Sequence, residues 1–299
     1  MAETPIAKLK RILREKAAPA NAPMVVAERR AGLEAVAFKV ADDVQVEPLT
    51  VAGRPAEWLR APGVQAGRAI LYLHGGGYVI GSINTHRSLA GEVSRAAQAA
   101  VLLIEYRLAP EHPFPAAVED GVAAYRWLLT QGVSPKQTAI AGDSAGGGLT
   151  VATLLSARAQ GMPTPGTAVC ISPWSDLTCS NASYHTQAAA DPMVALGGIT
   201  QMTQLYLQGH DPKHPLASPN YADLHGLPPL LIQVGSDEVL LDDAIVLDAH
   251  ARAAHVPSTV EVWEGMIHVW HAFHPMLPEG QQGIARVGEY VRAQWAKAE

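Results

Sequence analysis

A serine bracketed by glycines, between a strand pattern and a helix pattern, constrains this 299-residue chain more than any other feature. Residues 138–141 form a short apolar run that predicts a buried strand, and residues 149–158 predict a helix. The Gly142-Asp-Ser-Ala-Gly146 stretch between them requires a very tight turn, and its glycines remove side chains that would collide there. We expect Ser144 to project its hydroxyl above the sheet, at the positive end of the helix. The alternative is an ordinary glycine-rich turn with a helix-capping serine.

Strand patterns alternate with helix patterns along most of the chain. Five further apolar runs predict strands, at 69–73, 100–104, 168–171, 230–234 and 259–262. Four segments predict helices, at 88–99, 116–130, 242–254 and 281–297, and residues 43–49 and 54–60 predict a hairpin. This alternation favours an α/β fold with a mostly parallel central sheet flanked by helices. In such folds, functional residues lie at the carboxyl ends of the strands.

Two segments break the alternation. Residues 4–40 are helical and amphipathic in pattern, and residues 177–225 are polar, with one helical piece at 199–207. We therefore predict an N-terminal helical part of a cap at 1–42 and a cap insertion at 177–212. The α/β core is then formed by 43–176 and 213–299. For the N-terminal segment, a helix packed on its own domain is the alternative.

Composition excludes several classes of protein. The chain is 48% hydrophobic and 17% charged, with a formal net charge of −6, and no dense Lys/Arg cluster suggests nucleic acid or an anionic membrane as a partner. Cys170 and Cys179 do not make a disulfide framework. The N-terminus lacks the apolar core of a signal peptide, and no apolar run approaches the roughly 18 residues that span a bilayer. We expect a cytoplasmic protein.

The motifs provide the groups that acyl transfer by a serine requires, namely a hydroxyl, a base, a group that orients the base, and donors for the oxyanion. His268 follows the last predicted strand and is the candidate base. The acidic cluster at 237–243 follows the strand before it, which gives the chain order Ser, acid, His of α/β-hydrolases. The backbone N–H groups of Ala145 and of the 75–77 glycine loop are candidate oxyanion donors.

A metal site is the competing interpretation of one part of this region. His268, His271 and His274 follow one another at three-residue spacing. No carboxylate pattern completes such a site, so we predict that the protein uses neither a metal nor an organic cofactor.

Five motifs resemble those of the bacterial hormone-sensitive-lipase family (family IV) of esterases, within the α/β-hydrolase fold. They are His74-Gly-Gly-Gly-Tyr78, residues 106–117, Gly142-Asp-Ser-Ala-Gly146, Gly226-Leu-Pro-Pro229 and Gly265-Met-Ile-His268. The resemblance implies an eight-stranded, mostly parallel sheet with a helical cap, and carboxylester hydrolysis. It implies Ser144 as nucleophile, His268 as base, and a His74 that holds its loop. The implied oxyanion donors are Gly76, Gly77 and Ala145, and a homodimer is left open.

The position of the acid is less direct, because the family usually has an Asp-x-Leu-x-Asp run there. Counting back from Asp242 through Leu240 gives Glu238, whereas counting forward from Gly235 gives Asp237. We predict that Glu238 is the triad acid, and that Ser236 or Asp237 caps the following helix.

The motifs and the resemblance together predict a carboxylesterase that acts on small-molecule, short- to medium-chain acyl esters through an acyl-enzyme. The bulky Trp174 and Tyr206 suggest a small substrate pocket. One alternative is an amidase or formamidase with the same triad. The other is a non-catalytic small-ligand receptor of this fold, a class that has lost the base.

Overall fold

The computed structural model describes residues 3–16 and 22–297, whose strands form one eight-stranded sheet. The strands are β1 (Gln45–Val51), β2 (Arg54–Arg60), β3 (Ala69–Leu73), β4 (Ala100–Ile104), β5 (Thr138–Asp143), β6 (Thr167–Ile171), β7 (Leu230–Gly235) and β8 (Ser258–Trp263). Their order in the sheet is β1-β2-β4-β3-β5-β6-β7-β8. The β1–β2 and β2–β4 pairs are antiparallel and the other pairs are parallel, which confirms the predicted fold class.

The helices cover both faces of the sheet. They are α1 (Pro5–Lys16), α2 (Val26–Ala35), α3 (Ile83–Ala97), α4 (Ala116–Thr130), α5 (Ala145–Ala159), α6 (Ser183–Thr186), α7 (Leu196–Leu207), α8 (Leu241–Ala253) and α9 (Pro278–Ala296). Alternate side chains of a strand point to opposite faces, so Leu71 belongs to the buried cluster that includes residues of α4, α5 and α8, while Ile70 belongs to the cluster that includes residues of α3 and α9. Within residues 3–16 and 22–297, no helix is long and apolar enough to cross a membrane.

The central strands are buried along their whole length, which explains their continuous apolar sequences. Among the predicted helix starts, that of α3 moves furthest, and α5 begins at Ala145 rather than at Leu149. Helix α3 begins at Ile83 rather than at Ser88, because Ser82 and Thr85 form a reciprocal capping box that starts the helix earlier.

The segment before β1 and the segment between β6 and β7 meet at the carboxyl ends of the strands. The Met24 N–H donates to the side chain of Gln201 on α7 at 2.8 Å, and Arg14 on α1 donates to the carbonyl of Ala190 at 3.2 Å. Leu9 on α1 is buried against Ile267, in the loop that follows β8. Both segments therefore lie beside the loops that carry the candidate site.

Candidate active site

The turn between β5 and α5 consists of a single residue, Ser144. Its backbone has φ 54° and ψ −122°, a conformation that residues other than glycine rarely adopt and that often marks functional sites. A Cβ atom at Gly142 or Gly146 would overlap the backbone, in the second case at the carbonyl of Leu73, so only glycine fits at these two positions. The side chain of Ser144 makes no capping hydrogen bond to α5, so the alternative of a helix-capping serine is wrong.

A chain of hydrogen bonds connects Ser144 to a buried carboxylate. Ser144 Oγ lies 2.9 Å from Nε2 of His268, and Nδ1 of His268 lies 2.9 Å from Oε2 of Glu238. The other oxygen of Glu238, Oε1, accepts from Ser172 Oγ at 2.7 Å and from the Gly235 N–H at 2.6 Å. Four hydrogen bonds therefore fix this completely buried carboxylate and the imidazole together.

The electrostatic environment of His268 favours proton uptake. Burial alone would lower the pKa of this imidazole, but the hydrogen bond and negative charge of Glu238 outweigh burial and raise the pKa above its ordinary value. A raised pKa and a direct contact with a hydroxyl are the properties that a general base requires.

Asp237, the competing candidate for the acid, points elsewhere. Its Oδ2 pairs with Nζ of Lys10 on α1 at 2.5 Å, and its Oδ1 accepts from Ser236 Oγ at 3.0 Å. The prediction that Ser236 or Asp237 caps the following helix is wrong. Helix α8 begins only at Leu241, after a turn closed by the carbonyl of Glu238, and has no side-chain cap.

The glycine loop after β3 is held by its carbonyl groups. His74 Nδ1 lies 2.8 Å from the Gly75 carbonyl, and the N–H groups of Val79 and Ile80 donate to the Gly76 carbonyl. In a trans peptide the C=O and the next N–H point in opposite directions, so these bonds also orient the N–H groups of Gly76 and Gly77. Among the described residues, neither N–H has an acceptor.

The third predicted donor, Ala145, is the first residue of α5. The N–H groups in the first turn of a helix have no acceptor within the helix, and the helix dipole adds positive potential there. The candidate oxyanion donors therefore come from two turns, one after β3 and one after β5.

His74 supports this loop rather than facing Ser144. Its ring is buried and stacks on Tyr106 with centroids 4.2 Å apart. Burial lowers the pKa of His74 to about 3, so the ring is neutral and its Nδ1–H can donate to the Gly75 carbonyl. This is the loop-holding role that the family resemblance implies for His74.

The three histidines at three-residue spacing have three separate partners. His268 contacts Ser144 and Glu238, whereas His271 Nε2 lies 2.7 Å from Gln233 Oε1, and His274 Nε2 lies 3.0 Å from Ser88 Oγ. In the described part of the chain, no three His, Cys, Asp or Glu side chains are arranged to hold a metal ion.

The predicted pocket residues Trp174 and Tyr206 both lie against Tyr78. The Tyr78 and Tyr206 rings stack with centroids 3.9 Å apart, and the Tyr78 and Trp174 centroids are 6.0 Å apart. All three rings are buried. On α7, the thioether of Met202 lies so close to Gly77 that a Cβ there would overlap it.

Sequence reasoning missed the residues that support Glu238. Ser172 follows β6, and only the parallel pairing of β6 with β7 brings its hydroxyl to the carboxylate. Asp191, in the segment between β6 and β7, accepts from the Val239 N–H at 3.0 Å. Neither residue belongs to a local motif, because both contacts join distant parts of the chain.

Asp243, the last residue of the acidic cluster at 237–243, links two parts of the chain. It lies in the first turn of α8, but it is completely buried. Its carboxylate accepts from the N–H groups of Ser175 and Asp176 and from the side-chain amide of Asn181. It therefore connects α8 to the start of the segment between β6 and β7.

Comparisons with known proteins identify the fold family of the chain. A model of the α/β-hydrolase fold family matches residues 70–272. The acetyl-hydrolase of Streptomyces hygroscopicus is 54% identical over 244 residues, which cover 82% of this chain and 81% of the relative. A crystal structure of EstE5 soaked with p-nitrophenyl butyrate has a TM-score of 0.97 and 67% identity, and the match covers 99% of this chain and 100% of that one.

A second solved structure identifies the family within this fold. It is an esterase from the bacterial hormone-sensitive lipase family, with a TM-score of 0.94, 50% identity, and coverage of 99% of this chain and 100% of that one. The fold predicted from the sequence agrees with that of these solved structures. The chain therefore belongs to the bacterial hormone-sensitive-lipase family (family IV) of carboxylic ester hydrolases, within the α/β-hydrolase fold.

Proposed function

We propose that this protein hydrolyses short- to medium-chain acyl esters with Ser144 as nucleophile, His268 as general base and Glu238 as the acid that orients the base. The observation that carries the proposal is the unbroken hydrogen-bond chain from Ser144 Oγ through the imidazole to the buried carboxylate. The position of Ser144 between β5 and α5, half exposed where its neighbours are buried, supports the same conclusion.

In the acylation step, Ser144 Oγ attacks the carbonyl carbon of the ester while His268 Nε2 accepts the hydroxyl proton. The carbonyl oxygen becomes an oxyanion, which the N–H groups of Gly76, Gly77 and Ala145 stabilise. When the tetrahedral intermediate collapses, the alcohol leaves with the proton from His268, and the acyl group remains on Ser144. Glu238 stays ionised and stabilises the imidazolium throughout.

Deacylation repeats these steps with water. His268 accepts a proton from the water molecule as its oxygen attacks the acyl carbon, and a second oxyanion forms in the same backbone site. Collapse of this intermediate returns the proton to Ser144 Oγ and releases the carboxylic acid. The chemistry is complete with side chains and backbone donors of this chain.

The N-terminal part at 1–42 and the insertion at 177–212 form a cap over the site in this proposal. The support is that Lys10 pairs with Asp237 beside the acid, while Met202 on α7 lies against Gly77 in the oxyanion loop. A cap so close to the loop leaves room for small acyl groups, and we expect rates to peak at roughly four to eight acyl carbons. One solved relative was soaked with a butyrate ester, whose acyl group lies at the lower end of this range, and another relative is named an acetyl-hydrolase, after a still shorter acyl group.

The test uses p-nitrophenyl butyrate and its p-nitroanilide counterpart, with the wild type, Ser144→Ala and Ser180→Ala. Ser180 is exposed and serves as a matched control. We expect ester hydrolysis at least about 100-fold faster than anilide hydrolysis, and loss of about 10⁴-fold in Ser144→Ala alone, because a nucleophile has no substitute. Equal rates on both substrates would indicate an amidase. Binding of the ester without hydrolysis would indicate a receptor. An active Ser144→Ala variant would contradict the proposed nucleophile.

A further inference from the structure

The mechanism leaves unused a buried carboxylate directly before the nucleophile. Asp143 is 2% exposed, and its Oδ1 accepts from the Tyr72 hydroxyl at 2.9 Å and from the Gly75 N–H at 3.2 Å. Its Oδ2 faces Nε2 of His86, on helix α3, at 3.3 Å. Among the described residues, His86 is the one side chain that can provide a positive charge in contact with this carboxylate. A buried carboxylate without such a partner would be costly.

The carboxylate of Asp143 lies directly beneath the oxyanion loop. The peptide between His74 and Gly75 is fixed at both of its polar groups, because the His74 carbonyl accepts from the Tyr106 hydroxyl at 2.7 Å and the Gly75 N–H faces Asp143. A Cβ at Gly75 would overlap Asp143 Oδ2. The next two peptides carry the N–H groups of Gly76 and Gly77. The position of the first peptide therefore determines where these two donors lie.

We propose that His86 is a positioning residue for ester hydrolysis: as an imidazolium paired with Asp143, it fixes the carboxylate that holds the Gly75 N–H and thereby aligns the oxyanion donors of Gly76 and Gly77. This inference rests on the proposed function, because it assigns His86 to the oxyanion site of that reaction. His86 acts through Asp143 and does not touch the substrate.

The surrounding charges support an imidazolium at His86. Burial pulls the pKa of His86 down, but the charge of Asp143 and the hydrogen bond to it raise the pKa above its ordinary value. His74, whose ring centroid is 5.3 Å away, has its pKa lowered to about 3, so His86 is the ring of the pair that favours the charged form. Glu105, in the loop after β4, adds a further negative charge that favours the cation. Tyr72 faces His86 only through Asp143.

Loss of the proton changes the hydrogen bonds of the loop. In the neutral ring with its proton on Nδ1, that N–H points to Thr85 Oγ1 and the Ser82 carbonyl, and Nε2 carries a lone pair. This lone pair repels Asp143 Oδ2 and competes for the Gly75 N–H, which is 3.2 Å away. Because the folded-state pKa is raised, the paired state extends to higher pH than it would for an ordinary imidazole. It is lost as the pH rises through the raised value.

The experiment compares kcat and KM for p-nitrophenyl butyrate across pH in His86→Ala, His86→Gln and a control, His274→Gln. His274 also contacts α3, through Ser88, but is not in contact with Asp143. We expect kcat to fall about 30-fold in His86→Ala with KM changed less than about twofold, because misaligned donors weaken binding of the transition state only. His86→Gln keeps an N–H donor, so we expect a loss of about threefold. His274→Gln should match the wild type.

The pH profile separates positioning from a general structural effect. In the wild type, kcat should fall at alkaline pH as His86 loses its proton. In His86→Gln, which has no proton to lose at this position, kcat should stay constant over the same pH range. NMR titration of wild-type His86 should give a pKa above about 6.5, and Asp143→Asn should lower it. Unchanged kcat and alkaline profile in both His86 variants would overturn the inference, as would a wild-type His86 that titrates below that value. Failure of the wild type to hydrolyse the ester would instead refute the proposed function.

Discussion

At the scale of single residues, the carboxylate of Glu238 is held at both oxygens. Oε2 contacts the imidazole, and Oε1 accepts from Ser172 and from the Gly235 N–H. A glutamate is one methylene longer than the aspartate usual in the family. Its carboxylate therefore needs hydrogen bonds to fixed groups to keep its contact with His268. Ser172 and Gly235 provide these anchors, and Asp237 is left free to pair with Lys10.

The acid is tested by comparing Glu238→Gln with Asp237→Asn. We expect Glu238→Gln to lose at least about 10²-fold in kcat with a small change in melting temperature, because the imidazolium loses its partner in the transition state. Asp237→Asn breaks only the pair with Lys10, so it should keep its kcat and lose about 0.5–1 kcal/mol of the free energy of unfolding. A dead Asp237→Asn beside an active Glu238→Gln would place the acid one residue earlier.

The pH dependence provides a second prediction at this scale. His268 must be neutral to accept the serine proton, and Glu238 raises its pKa, so kcat/KM should rise with pH through a value above about 6.5. Removing the negative charge leaves burial as the dominant effect, which lowers the pKa. In Glu238→Gln the residual activity should therefore survive to lower pH than in the wild type. If the acidic limb of the pH profile does not move in Glu238→Gln, a group other than His268 controls that limb.

At the scale of secondary-structure elements, helix α7 is the part of the predicted cap closest to the chemistry. Met202 covers Gly77, and Gln201 contacts the N-terminal segment, so one helix connects the insertion to both the oxyanion loop and the chain before α2. Tyr206 on the same helix stacks on Tyr78, which directly follows the glycines. The length of acyl chain that fits should therefore depend on the side chains of α7.

Met202→Ala should shift the acyl-chain preference. Removing a half-buried thioether opens space beside Gly77, so we expect the ratio of kcat/KM for octanoate to butyrate esters to rise by about five- to tenfold, a difference of about 1 kcal/mol. Thr200 lies on the exposed side of α7, and Thr200→Ala is the matched control. The same ratio in Met202→Ala and the wild type would show that α7 does not limit the acyl pocket.

The elements themselves were largely predictable, and the differences have local causes. The strand at Ala69–Leu73 and the helix at Ala116–Thr130 coincide with their predicted bounds, because continuous apolar runs and helical periodicity are strong local signals. Helix α3 begins early because of a capping box, and the short helix Ser183–Thr186 has no periodicity to detect. The supposed cap at residue 236 or 237 is instead part of a turn that precedes Leu241.

At the scale of the whole molecule, the sheet brings together side chains that are far apart in sequence. Ser144 and His268 are 124 residues apart, yet they lie at the ends of strands of one sheet, as do His74 and Glu238. Motif and chain order were enough to predict which of these residues approach one another. Ser172, Asp191 and His86 were not predictable, because each acts through a contact that only the assembled fold creates.

Metal removal tests whether the groups of the chain are sufficient for ester hydrolysis. The nucleophile, base, acid and oxyanion donors in the proposed mechanism all come from the chain, and the three histidines at 268, 271 and 274 have separate partners. We expect activity to be unchanged after prolonged dialysis against a chelator. Activity that is lost on dialysis and restored by zinc would show that a metal takes part.

The covalent intermediate tests the central claim most directly. The protein would be mixed with p-nitrophenyl butyrate, quenched in acid within the first turnover, digested, and analysed by mass spectrometry, with Ser144→Ala treated identically. We predict a butyryl group on Ser144 itself in the wild type, and none on the corresponding peptide of the variant. Ester hydrolysis accompanied by a butyryl group on another residue would contradict Ser144 as the nucleophile.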